Sequence, residues 1–410
     1  MKTCIHSSVV ATLLALGFSI SSVNGGWSEV VLGEASGELL IGSGRNDGII
    51  RMYCASGAEF SWVSNSWVYQ GLANDGWGIA LGMGRIDNLR RVYVAGNAYG
   101  NFENNYAASV WNTGLAFGGD GYDVELLAAR NDGVNRLYYT NSGGEINECT
   151  WTQNTTSYSQ LALPSSPEDV KQLTYGNGRN DGQSRFYGFT DSGILCEWSY
   201  NGAWSIATAN LELGAMHGLA IGVARPDGVN RIYAACADGH IYELTWSGSA
   251  WNSTSVLGSG LLDMTCVVLG DPRGEGTTSV YAGSNDGRIY EFRNRTGVWE
   301  QNVLFQGLGG LQRLTVGPGR GDGVNRLYAT DGTLREYTYT PTTSAPFAAQ
   351  ILPDGILEWS STPGGVYDVE WSSDLTTWQS DWSSLSGIPA TGTSTQKPIP
   401  RFFRVKQRTE

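Results

Sequence analysis

The chain has 410 residues, enough for two or three domains and a sizeable core, yet only 16% of them are charged. A net charge of −13 works against nucleic acid and anionic membrane surfaces as partners. The abundance of Gly (56) and Trp (15) excludes a bundle of long amphipathic helices and suits short strands joined by tight turns.

Residues Met1 to about Gly25 read as a secretory signal. Lys2 gives a positive start, Val9 to Ile20 an apolar run, and Val23-Asn24-Gly25 a plausible cleavage point. A run of about a dozen apolar residues is too short to span a bilayer, and no other stretch could do so. The expected location is therefore outside the cell or on its surface. After Cys4 the cysteines are Cys54, Cys149, Cys196, Cys236 and Cys266. An odd number at unrelated positions argues against a disulfide framework. Small buried residues in strands are expected, with one bridge between Cys149 and Cys196 as the alternative.

From Gly44 onward one phrase returns: GRNDGIIRMY at Gly44, GRIDNLRRVY at Gly84, ARNDGVNRLY at Ala129, GRNDGQSRFY at Gly178, ARPDGVNRIY at Ala224, PRGEGTTSVY at Pro272 and GRGDGVNRLY at Gly319. Its acidic residues, Asp47, Asp87, Asp132, Asp181, Asp227, Glu275 and Asp322, lie 40, 45, 49, 46, 48 and 47 apart. Seven units with a period in the forties predict a seven-bladed β-propeller over residues 26–340, four strands to a blade. The segment Trp27-Ser28-Glu29-Val30-Val31-Leu32 looks like the end of a unit, such as Trp299 to Leu304, and the last unit lacks such an end. The N-terminal strand is thus expected to close blade seven.

Within a unit, Asn-Asp-Gly makes the first turn. The second strand carries Arg and Tyr, the third Glu and an aromatic, and the fourth starts at an outer Trp. The spacing from Tyr to Glu is 10 in five units, 8 for Tyr328/Glu336 and 6 for Tyr53/Glu59. All are even, so the same residues oppose one another in every hairpin. If Tyr opposes Glu, the loop has three residues ending in Gly57, Gly144, Gly193, Gly239 or Gly287, where a left-handed residue is needed. Residues 341–347, rich in Pro, Thr and Ser, read as a linker, and residues 348–410 as a small C-terminal β-sandwich.

The repeated unit resembles secreted repeat propellers of bacteria and archaea, and more distantly the integrin-type FG-GAP repeats and the propeller lectins. FG-GAP calcium loops carry several alternating carboxylates. Here one carboxylate sits between two arginines, which discourages a divalent cation, and no metal or other cofactor is expected. The tail is similar to C-terminal modules of exported proteins in the Verrucomicrobia and their relatives, a resemblance that implies attachment or sorting.

The shared charges are expected to be scaffold: each Asp locks its own turn and pairs with Arg, while Arg and Glu bridge strands. On this reading Arg320-Gly321-Asp322, an RGD tripeptide, is one more copy of the turn. Function is sought where the units differ. Ten residues before each acidic residue stand Gly37, Trp77, Tyr122, Lys171, His217, Thr265 and Gln312. One residue later come Glu38, Gly78, Asp123, Gln172, Gly218, Cys266 and Arg313. Innermost strands begin at the rim of the channel, so Trp77, Tyr122, Asp123, Lys171, Gln172, His217, Gln312 and Arg313 are the candidate ligand-binding residues.

No phosphate loop, zinc spacing or Ser-His-Asp set is present, and only His217 and His240 follow the signal. The sequence therefore points to a monomeric, non-catalytic binding protein for a glycan or an extracellular or cell-surface protein. Two alternatives stand beside it. One is a polysaccharide lyase or hydrolase working through Tyr122, Lys171, His217 and Arg313 at the channel rim, which requires their side chains to converge. The other is an architectural surface protein held by its C-terminal module.

Overall fold

The computed structural model describes residues 22–23, 26–72, 74–96, 100–130, 132–141, 143–257 and 262–341, and then 349–351, 356–360, 366–372, 388–389, 394–398 and 402–407. Nearly all of the signal segment and of the linker lies outside the described residues. The chain divides into two compact units, Met1–Thr340 and Pro341–Glu410.

The first unit is a seven-bladed β-propeller. Six blades are four-stranded antiparallel sheets in chain order, from Leu39–Gly42, Arg51–Cys54, Ala58–Val63 and Ser66–Gly71 in blade one to Met264–Gly270, Ser279–Ser284, Ile289–Asn294 and Trp299–Phe305 in blade six. The innermost strands lie side by side round the axis, and the last of them, Arg313–Gly317, returns to Leu39–Gly42. Blade seven joins both ends of the unit. The N-terminal strand Trp27–Ala35 pairs with Gly332–Tyr339, with Trp27 opposite Tyr339. Trp27 also packs edge-on against Phe305 of blade six, so this strand supplies the outer Trp that the last unit lacks.

The expected register holds. Tyr stands opposite Glu in all seven blades, from Tyr53↔Glu59 to Tyr328↔Glu336. At the hairpin tips Gly193 and Gly239 have φ of 83° and 84°, the left-handed conformation that closes a three-residue loop. At the other end of the blade the Asp carboxylate folds back on its own turn. Asp181 Oδ1 accepts the Gln183 N–H at 3.0 Å, and Asp47, Asp132, Asp227 and Asp322 do the same two residues on.

The charges assemble around the buried Glu. In blade four, Arg179 Nε donates to Glu197 Oε2 at 2.8 Å, while Arg185 donates to both oxygens of Asp181 at 2.9 and 2.6 Å. Arg185 Nε also lies 3.4 Å from Glu197, so one carboxylate inside the sheet is met by two guanidinium groups. Such a set offsets the desolvation of its charges only when every member is present. Blade six departs from the pattern: Ser279 takes the place of the second Arg, and Glu275 is bound instead by Arg293 and Arg295.

The first Arg of each blade also reaches the next blade. Its guanidinium lies over an aromatic ring there: Arg45 over Tyr106 at 3.5 Å, Arg85 over Trp151 at 3.9 Å, Arg179 over Trp246 at 3.8 Å and Arg225 over Trp299 at 5.6 Å. Arg130 and Arg273 do likewise with Tyr200 and Tyr339, and Arg320 closes the circle over Trp62 of blade one at 3.9 Å. The RGD tripeptide is thereby consumed by the scaffold. Arg320 is bound to Glu336 as well, and Asp322 to Arg326.

Among its described residues the second unit has two three-stranded sheets. One pairs Ala349–Ile351, Ile356–Ser360 and Ser394–Pro398, with Leu357 and Trp359 buried. The other pairs Ile388–Pro389, Val366–Ser372 and Phe402–Gln407. Among the described residues no helix is long and apolar enough to cross a membrane.

Candidate functional site

A cavity of about 670 Å³ opens where the innermost strands begin, within the size range of small-molecule sites. Five of the seven rim positions line it (Gly37, Trp77, His217, Thr265 and Gln312), together with Gln172 and Arg313 from the next ring down. Backbone irregularities aim several of these side chains. The innermost strands of blades four, five and six are bulged between Val170 and Leu173, between Met216 and Gly218, and between Met264 and Cys266. The residues so displaced are Lys171 and Gln172, His217, and Thr265. A bulge inserts an unpaired residue and turns it out of the ladder, a device common beside binding sites.

Trp77 is the aromatic surface of this mouth, with 52% of it exposed. His217 Nδ1 lies 3.0 Å from Asp263 Oδ1. Arg313 Nη1 donates to the Gln312 carbonyl at 2.8 Å, and Gln312 Oε1 accepts the Gly37 N–H at 3.3 Å across the seam between blades seven and one. Two buried polar atoms of the lining, Gln172 Oε1 and Arg313 Nε, have no hydrogen-bond partner among the described residues. One acceptor and one donor left over in a polar mouth suit a ligand rich in hydroxyl groups.

The other candidates fall elsewhere. Tyr122 is 40% exposed but does not line the cavity. The side chain of Lys171 lies outside the described residues. Asp123 is 5% exposed, and its Oδ2 accepts the Leu173 N–H at 2.6 Å, tying blade three to blade four. Glu38 does the same between blades one and two, accepting the Ile79 N–H at 2.8 Å. Glu38 and Asp123 lie near enough across blade two for the charge of Asp123 to act on Glu38. Gly78 lets the innermost strands of blades two and three approach closely: a Cβ there would come within 2.6 Å of the Asp123 Cα.

Burial, and then the neighbouring carboxylates Asp123 and Glu125, push the Glu38 carboxyl well above its usual range, while Arg313 holds it down. Burial raises Asp123 too. Glu125, two residues on and on the same strand face, is pushed up to about 8 by burial and by the charge of Asp123. These acids sit behind the mouth and fasten the inner strands.

Asp75 and Asp191 line the cavity and were not among the candidates. Asp75 precedes the innermost strand of blade two, and Asp191 stands on the second hairpin of blade four. The missing signal was topological, since that hairpin and the start of an innermost strand share one face of the wheel.

No protein-family model matches the chain, and no curated protein matches it in sequence. Among solved structures 918 chains match, so the fold itself selects no single function. One is a crystal structure of BBS1N in complex with ARL6DN, soaked with lead. It has a TM-score of 0.56 and 14% identity, covering 78% of this chain and 99% of that one. The chain is a seven-bladed propeller structurally like BBS1N.

Proposed function

We propose that this chain is an exported, non-catalytic binding protein that takes a glycan at the channel mouth of its propeller. The observation that carries this reading is the cavity itself, with the exposed Trp77 on its rim and polar side chains around it. An amphipathic ring is the usual platform for the C–H face of a sugar, and side chains such as Gln172, Gln312 and His217 are the usual partners of its hydroxyl groups. Propellers serve as binding scaffolds, and BBS1N, whose structure carries ARL6DN, is one that holds a protein partner.

The enzyme alternative loses support from the geometry. It needs Tyr122, Lys171, His217 and Arg313 about one reacting atom, yet Tyr122 lies off the cavity lining and His217 faces Asp263. The perturbed carboxyls Glu38 and Asp123 are engaged with backbone N–H groups.

The test is a glycan array with purified protein, followed by titration of the hits against Trp77→Ala. Binding that falls by roughly tenfold or more in the variant, at unchanged melting temperature, is the expected result. No binding at millimolar glycan, or binding indifferent to Trp77, would overturn the reading.

A further inference from the structure

We propose that the ligand of the channel mouth is a cationic sugar, an amino sugar carrying a free ammonium group, seated on Trp77 with that ammonium against Asp75. The inference rests on the glycan reading above and adds the charge of the ligand.

Electrostatics at the mouth carry it. The lining holds the carboxylates of Asp75 and Asp191, and Asp263 stands behind His217. Glu38 and Asp123 lie deeper. Against these the described lining offers Arg313, and His217, which already faces Asp263. Arg313 is close enough to Glu38 and Asp123 for its charge to hold both carboxyls down, and His217 is within 3.0 Å of Asp263. A concave mouth focuses the field of an uncompensated charge on its rim and concentrates ions of the other sign there.

Asp75 is the acid without an occupation. It is exposed, two residues before Trp77, and makes no hydrogen bond or ion pair among the described residues. An exposed indole and a carboxylate on one rim recognise an ammonium twice, through the ring face and through the charge. A uronate would meet repulsion from Asp75.

The experiment compares three tetrasaccharides by calorimetry at low salt: one of glucosamine with free amines, its N-acetylated counterpart, and one of glucuronate. The free-amine sugar is expected to bind roughly tenfold tighter than its acetylated counterpart. That margin is expected to shrink in Asp75→Asn, at unchanged melting temperature, and on raising the salt. Equal or tighter binding of the acetylated or uronate sugar, with Trp77→Ala still weakening it, would overturn this inference and leave the glycan reading standing. Binding of none of the three, or tighter binding of a lysine tetrapeptide in the same assay, would overturn both.

Discussion

Ser279 and Arg293 face each other across the second and third strands of blade six in the reverse of the usual order. In the other blades the second strand carries the Arg and the third a shorter polar residue: Arg51 with Ser61 at 2.9 Å, Arg136 with Thr150 at 3.1 Å, Arg326 with Thr338 at 3.1 Å. The pairing of Val280 with Phe292 puts Ser279 opposite Arg293, so the two partners have changed strands. The guanidinium still reaches the acid of the first turn, which here is Glu275, one methylene longer than Asp.

This exchange makes a reversible test. Arg293→Ser is expected to destabilise the propeller by about 1 kcal/mol, because the exposed Glu275 loses one of its two arginine partners. Adding Ser279→Arg and Glu275→Asp rebuilds the arrangement of the other blades and is expected to recover most of the loss. Chemical denaturation of the single and triple variants measures it. Recovery of nothing would mean that blade six is packed around its own version.

In blade four the two acids differ in burial, which ranks their importance. Glu197 is 4% exposed and faces two arginines, whereas the Asp181 side chain is 44% exposed. Glu197→Ala is expected to cost about 3–5 kcal/mol by stranding Arg179 and Arg185. Asp181→Ala is expected to cost about 1 kcal/mol or less, with solvent screening the pair. Melting temperatures of the two variants decide the order, and equal losses would contradict it.

Stability is expected to peak near about pH 5 and to fall on both sides. Asp132, Asp181, Asp227 and Asp322 are lowered to about 2, chiefly by their arginine partners. Their contribution is present above the unfolded carboxylate range and is lost as pH falls through about 2. Glu125 has the opposite sign: burial raises it from 4.5 to about 8, so folding favours its protonated form. That contribution is complete below 4.5 and is lost as pH rises through about 8. Melting curves between pH 2 and pH 9 should therefore show an alkaline decline that Glu125→Gln flattens.

Thiol chemistry supplies a further check. Cys54, Cys149, Cys196, Cys236 and Cys266 are free and buried, and burial pushes Cys196 up to about 12 and the others up as well. None is expected to react with an aromatic disulfide reagent in the native protein, and all five should react once guanidinium unfolds it. Rapid labelling of the native form would show that some strand opens readily.

Much of the wheel was legible because repetition exposes register. An even Tyr-to-Glu spacing fixed which residues oppose each other, and the stray Trp27 segment pointed to the seam. Relations between blades were hidden. That Arg179 lies over Trp246, or that Gly78 lets the inner strand of blade three come close, depends on the angle between sheets, which no single unit encodes. The rim was half legible for the same reason. Strand starts such as Trp77 and His217 follow from the repeat, while Asp75 and Asp191 arrive from loops whose reach the repeat does not constrain.

The seam of blade seven also dictates a timetable. Ser28 bonds to Thr338, a partner 310 positions away, so the earliest strand of the wheel waits for the latest one. Six sheets can form as the chain emerges, but the circle stays open until its final hairpin exists. Closing so distant a contact is slow, and until then the rims of blades six and one are bare. A cell producing this protein must therefore keep a nearly finished ring from joining its neighbours.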